Sequence, residues 1–148
     1  MSEQNMTSAR RLLEEVWTEG NLSQLAEVMT EDAVTRPMPH TDALHGLEEY
    51  RQFIAVYKGI FLDMRFLIED QIASGDKVAT RWVAIVTGDS EDALLDEETG
   101  EPLAIDGITI THHDASGKIV GEWAVWDTHS LLRTAAAPRI FEQLSIVV

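Results

Sequence analysis

The sequence predicts a single α+β domain in which N-terminal helices cover one face of a curved, antiparallel sheet. Three observations carry this. Apolar residues recur at helical spacing through the first third of the chain, the period turns strand-like near Met64, and two hairpin signals then join long branched and aromatic runs. Helices followed by a strand meander make an α+β order, not an alternating one. At 148 residues the chain can bury one core without staples. The domain is expected to occupy 1–148, with its core over about 7–133 and a tail over 134–148.

The first helix is expected from about Thr7 to Trp17, where Met6, Ala9, Leu13, Val16 and Trp17 share a face and Gly20 is placed as a C-cap. A short second helix carries Leu22, Leu25, Ala26 and Met29. Ala33 to His40 starts as a strand and is cut by Pro37 and Pro39, as at a sheet edge or an exit loop. After Gly46 a third helix presents Leu47, Tyr50, Ile54, Tyr57 and Phe61, with Gly59 near its end. The runs RFLIEDQIA and KVATRWVAIVT are joined by Ser74-Gly75-Asp76, a hairpin turn. Gly88 to Glu101 holds seven acidic residues and reads as a solvated loop, without the ligand spacing of a calcium loop. PLAIDGITITHHD and KIVGEWAVWDT form a second hairpin across Ala115-Ser116-Gly117. The tail after Arg133 reads as a short helix or a loose arm.

Composition removes several function classes. Without cysteine there is no disulfide framework, thiol nucleophile or thiolate metal site. A formal charge of −15 repels phosphate backbones, so nucleic acid is not an expected partner. The chain has neither an apolar run of about 18 residues nor a signal-peptide core after MSEQNMTSARR, so no membrane partner is expected and a cytoplasmic protein is the default. Gly-rich phosphate loops and the GxSxG elbow are absent too.

The candidate chemistry centres on Gly117 to Arg133, GKIVGEWAVWDTHSLLR. Asp127 follows a Trp-rich strand. Beside Trp123 and Trp126 its carboxyl would be desolvated and its pKa raised, suiting proton transfer worth ~10²–10⁴ in rate. The alternative is a strand-end Asp capping the turn at Thr128. His112 and His113 point to opposite faces of a strand, so one of them can look inward, and His113 is the choice made here. Their spacing does not suit a shared metal ion. Arg81, inside an apolar strand, must find a carboxylate or reach solvent, as structure or as an anion-stabilising donor. Arg36 and His40 flank the prolines and either line a pocket mouth or, the favoured alternative, lie on the surface.

The pieces EVWTEGNLSQLAEVMTEDAV, GLEEYRQFI, IEDQIASGDKVATRWVAIVTG, TGEPL and GKIVGEWAVWDTHSLLR, in this order over roughly residues 10–133, resemble the SnoaL-like polyketide cyclases of the NTF2-like superfamily. The most specific are Gly75, Asp76, Val78, Ala79 and Arg81, and the run from Gly117 to Asp127. The resemblance implies an NTF2-like cone, with N-terminal helices packed on a strongly curved mixed, mainly antiparallel sheet and an apolar cavity between them, and commonly a homodimer packed through the outer sheet face. It also implies aldol closure by a general acid/base at the position of Asp127, assisted by a pocket histidine, without metal or organic cofactor. Two departures stand out. Val86-Thr87-Gly88 and the acidic stretch replace a family G-T-H, and Phe61-Leu62-Asp63 replaces F-P-D.

The expected function is therefore acid/base catalysis on a small, apolar, carbonyl-bearing molecule, with Asp127 and His113 catalytic. Trp17, Tyr57, Trp82 and Trp123 would form apolar walls. Isomerisation, dehydration, hydroxylation or epoxide opening, the last by Asp106, Asp127 and Arg81 around a water, are alternatives on the same scaffold. So is a non-catalytic binding or dimerisation module.

Overall fold

The computed structural model describes residues 2–38, 41–61, 63–86 and 101–133. The first helix starts earlier than its apolar spacing predicts: α1 spans Ser2–Arg11 and runs on into a π-helical stretch, Leu12–Thr18. The wide turns are held by side chains. The Thr18 hydroxyl donates to the Leu13 carbonyl at 2.8 Å, and its oxygen accepts from the Phe66 amide at 2.9 Å. The Lys58 ammonium donates to the carbonyls of Trp17 and Thr18, closing this helix end. These contacts tie Trp17 to a fixed place over the sheet. After a 3-10 turn, the short α2 (Leu25–Val28) leads into the first strand. α3 (Leu47–Ile60) matches its prediction: Leu47, Tyr50, Ile54 and Tyr57 are buried, with Phe61 buried just beyond.

The strands are β1 (Met29–Arg36), β2 (Leu44–His45), β3 (Met64–Ser74), β4 (Lys77–Val86), β5 (Leu103–His113) and β6 (Ile119–Trp126). Among the described residues they form one open mixed sheet in the order β2-β1-β6-β5-β4-β3. Only the β1–β6 pair is parallel. Both predicted hairpins form, turning at Gly75 and Gly117, which take φ of 59° and 91°. Of the two readings of the prolines, sheet edge or exit loop, the exit loop holds for β1. It lies between β6 and β2, a pairing that periodicity could not show in a two-residue strand, and it ends before Pro37, so no ladder donor is lost. His40, residues 88–100 of the acidic stretch and the tail 134–148 lie outside the described residues.

One irregularity decides which side chains face inward. His112 pairs with Gly121 but His113 pairs with Ile119, so Val120 is an extra residue on β6. Unbroken alternation from Ile119 would turn Trp123, Val125 and Asp127 inward. The bulge shifts the phase by one, so Glu122 and Ala124 are buried while Trp123 and Val125 are exposed. Among the described residues, no helix is long and apolar enough to cross a membrane.

Candidate functional site

A cavity of about 60 Å³ lies between the helices and the inner sheet face. Leu13, Trp17, Phe53 and Tyr57 line it from the helices; Phe66, Trp82, Ala84, Thr109, Glu122, Ala124 and Trp126 line it from the sheet. Its aromatic wall is internally braced. Phe53 and Tyr57 stack with ring centres 4.2 Å apart, and Phe66 meets Trp82 edge-on at 4.8 Å. The segment after β1 closes one side: Trp126 Nε1 donates to the Pro37 carbonyl at 3.0 Å, and the Tyr57 hydroxyl reaches Met38 Sδ at 3.0 Å.

Among the described residues Glu122 is the one ionisable carboxyl in this lining. It is 7% exposed, and its Oε2 is buried without a hydrogen-bond partner among the described residues. Its register neighbour on β1, Thr35, likewise has a buried, unpartnered Oγ1. Burial disfavours the charged carboxylate and pushes the Glu122 pKa up to about 7, while the Tyr50 hydroxyl directed at the carboxyl opposes the shift. Tyr50 is fully buried and in turn accepts a hydrogen bond from Trp17 Nε1 at 3.0 Å. A carboxyl poised near neutrality in an apolar cavity can both take and return a proton.

A second polar element faces the same space. Trp82 Nε1 donates to Thr109 Oγ1 at 2.8 Å. The indole lies flat over β5 because Gly107 is opposite it in register; a Cβ there would sit 2.4 Å from the ring. Sequence alone gives Gly107 as an unremarked glycine inside a strand, and only the packing of Trp82 explains it.

The predicted site residues fall into distinct places. Trp17, Tyr57 and Trp82 line the cavity as expected. Asp127 does not, and the expectation of a desolvated carboxyl there is corrected: its side chain is exposed and accepts from the His129 amide at 3.1 Å. Its backbone amide continues the ladder to the Asp106 carbonyl, so it is the strand-end residue that caps the 3-10 turn Thr128–Arg133. His113 does face inward and His112 outward, yet His113 is not part of the cavity lining. Its Nδ1 donates to the Gly117 carbonyl at 3.0 Å and its Nε2 lies 2.8 Å from Thr111 Oγ1; burial lowers its pKa. Both ring nitrogens are engaged, one by the turn at Gly117 and the other by Thr111 on β5.

Trp123 is 58% exposed on the outer face, with the Arg36 guanidinium 5.3 Å from its ring centre. Arg36 itself is exposed and donates to the Thr41 carbonyl at 3.3 Å. Arg81 is exposed and paired with Glu69 at 3.0 Å. Asp106 is exposed as well, so Asp106, Asp127 and Arg81 do not converge in the cavity. Among the described residues no cluster of three or more His, Asp or Glu side chains is arranged to hold a metal ion.

Helices over an open curved sheet, with an aromatic cavity between them, define the class of small α+β cone proteins. Within it, the chain belongs to the SnoaL-like polyketide cyclase family, whose model matches residues 7–135. Among solved structures it is similar to one named as a SnoaL-like polyketide cyclase from Jannaschia sp. CCS1 (19% identity, 93% of this chain and 94% of that one, TM-score 0.75). It is also similar to IdmH from Streptomyces antibioticus, named as a polyketide cyclase (25% identity, 92% and 99% coverage, TM-score 0.69). A third is AclR from Streptomyces galilaeus, named as a hydroxylase (16% identity, 89% and 95% coverage, TM-score 0.68). No curated protein matches the sequence.

Proposed function

We propose that this protein is an acid/base catalyst of the cyclase type, acting on a small apolar carbonyl compound in the aromatic cavity. One observation carries the reading: the Glu122 carboxyl, with an unpartnered oxygen and a pKa raised to about 7, stands in a mostly apolar, aromatic lining. As carboxylate, Glu122 removes a proton from the carbon next to a carbonyl. The enolate carbon bonds to a second carbonyl carbon of the same molecule, and Glu122 returns the proton to the new alkoxide. No cofactor is required for this sequence. Glu122 thus takes the role that the sequence reading gave to Asp127. The same group would also serve an isomerase or a dehydratase, which differ in where the proton returns.

Deuterium exchange at the α-carbon of 1-tetralone, followed by NMR, tests the reading without knowledge of the natural substrate. Wild type accelerates exchange above buffer and Glu122→Gln loses about 10²–10⁴ of that rate; equal rates in the two proteins would contradict it.

The proposal includes a homodimer in the cytoplasm and no nucleic-acid or membrane partner. The outer sheet face supports the dimer, because the cross-strand pairs Ile108–Val125 and Ile110–Trp123 are all exposed there. Sedimentation should give twice the chain mass, and Trp123→Glu should shift it to monomer.

A further inference from the structure

We infer that the Thr109 hydroxyl, oriented by Trp82, is the donor that binds the substrate's carbonyl oxygen beside Glu122. Thr109 is 3% exposed and lines the cavity. A hydroxyl has one proton to give and lone pairs to receive. Trp82 Nε1, which can only donate, occupies the oxygen at 2.8 Å, and among the described residues the Thr109 hydroxyl donates to no acceptor. Its proton is therefore left for a ligand, and the indole restricts how the hydroxyl can turn.

The placement suits the chemistry. Thr109 pairs with Ala124 on β6, and Glu122 is two residues from Ala124 on the same inner face. Such diagonal neighbours stand about 7–8 Å apart. Ala124 between them is small and lines the cavity, leaving the space over it open. A carbonyl oxygen and its α-carbon are two bonds apart, so one ketone laid across Ala124 can accept from Thr109 while presenting its α-proton to Glu122. As the proton leaves, negative charge grows on the oxygen that Thr109 holds, where a fixed donor in a water-poor site has most effect. Trp82 is a positioning residue in this scheme. Its ring lies where it does because Gly107 has no side chain.

The inference rests on the reading of Glu122, and the test separates the two. The probe is 1-tetralone with a ¹³C-labelled carbonyl; infrared spectroscopy reads the hydrogen bond to its oxygen, and deuterium exchange reads Glu122. The bound carbonyl band should shift to lower frequency in wild type and in Thr109→Ser. It should lose that shift in the isosteric Thr109→Val, with binding weakened about 3- to 10-fold. Trp82→Phe should broaden the bound band as the hydroxyl loses its anchor, and Glu122→Gln should keep the shift while losing exchange. An unchanged shift in Thr109→Val, or a wild type that does not bind the ketone, overturns the inference. A Thr109-dependent shift without any exchange leaves it standing and removes the acid/base reading of Glu122 instead.

Discussion

Glu122 and His113 are near neighbours on the inner sheet face, Glu122 on β6 and His113 two residues beyond Thr111, the register partner of Glu122, on β5. Both are titratable and both are buried, at 7% and 4% exposure. His113 has a partner for each ring nitrogen, in Gly117 and Thr111, whereas Glu122 keeps an oxygen without one. Burial alone therefore does not mark a functional group. A saturated buried group holds a turn together, while an unsaturated one at a cavity wall carries an unmet energetic cost that a ligand can relieve.

The comparison breaks most sharply on stability against pH. Folding raises the Glu122 pKa from about 4.5 to about 7, so the folded protein holds this proton more tightly than the unfolded chain. The stabilisation is fully present below about pH 4.5 and is lost as pH rises through about 7. Glu122→Gln removes that dependence. At pH 8 the variant should exceed wild type by on the order of 3 kcal/mol, with the difference vanishing below about pH 4, as read by urea unfolding at both pH values.

Smaller effects sharpen the contrast. Gly107→Ala forces a methyl against the Trp82 ring and should cost about 1–3 kcal/mol, with Trp82 fluorescence altered as the indole moves toward the cavity. His113→Leu leaves the Gly117 carbonyl unmatched and the Thr111 hydroxyl with only its longer 3.5 Å bond to the Val78 carbonyl. It should cost about 1–3 kcal/mol in thermal unfolding yet leave α-proton exchange per folded molecule unchanged. Asp127→Asn keeps a side-chain oxygen for the His129 amide and should change stability by less than about 0.5 kcal/mol, with exchange intact.

Much of this architecture was legible in the residues. The apolar stripe of α3 and the two hairpins follow from periodicity and turn chemistry, whereas the cavity that Trp17, Tyr57 and Trp82 line was implied by the family resemblance. The carboxyl was not, for a definite reason. Alternation counted back from Trp123 makes Glu122 an outward, solvated residue and brings Asp127 inward. The extra residue Val120 reverses that assignment, and a bulge has no reliable sequence mark beyond the neighbouring Gly121. The π-helical turns that place Trp17 are hidden in the same way, since they depend on Thr18 and Lys58 contacts with residues far along the chain.

The most direct test of the account is the Glu122 pKa, followed by carboxyl-carbon NMR with Glu122→Gln as the assignment control. The structure predicts a midpoint of about 7, set by burial against the cavity. A midpoint at or below the ordinary value of about 4.5 would mean that the carboxyl is solvated or paired, and would contradict its role as the acid/base.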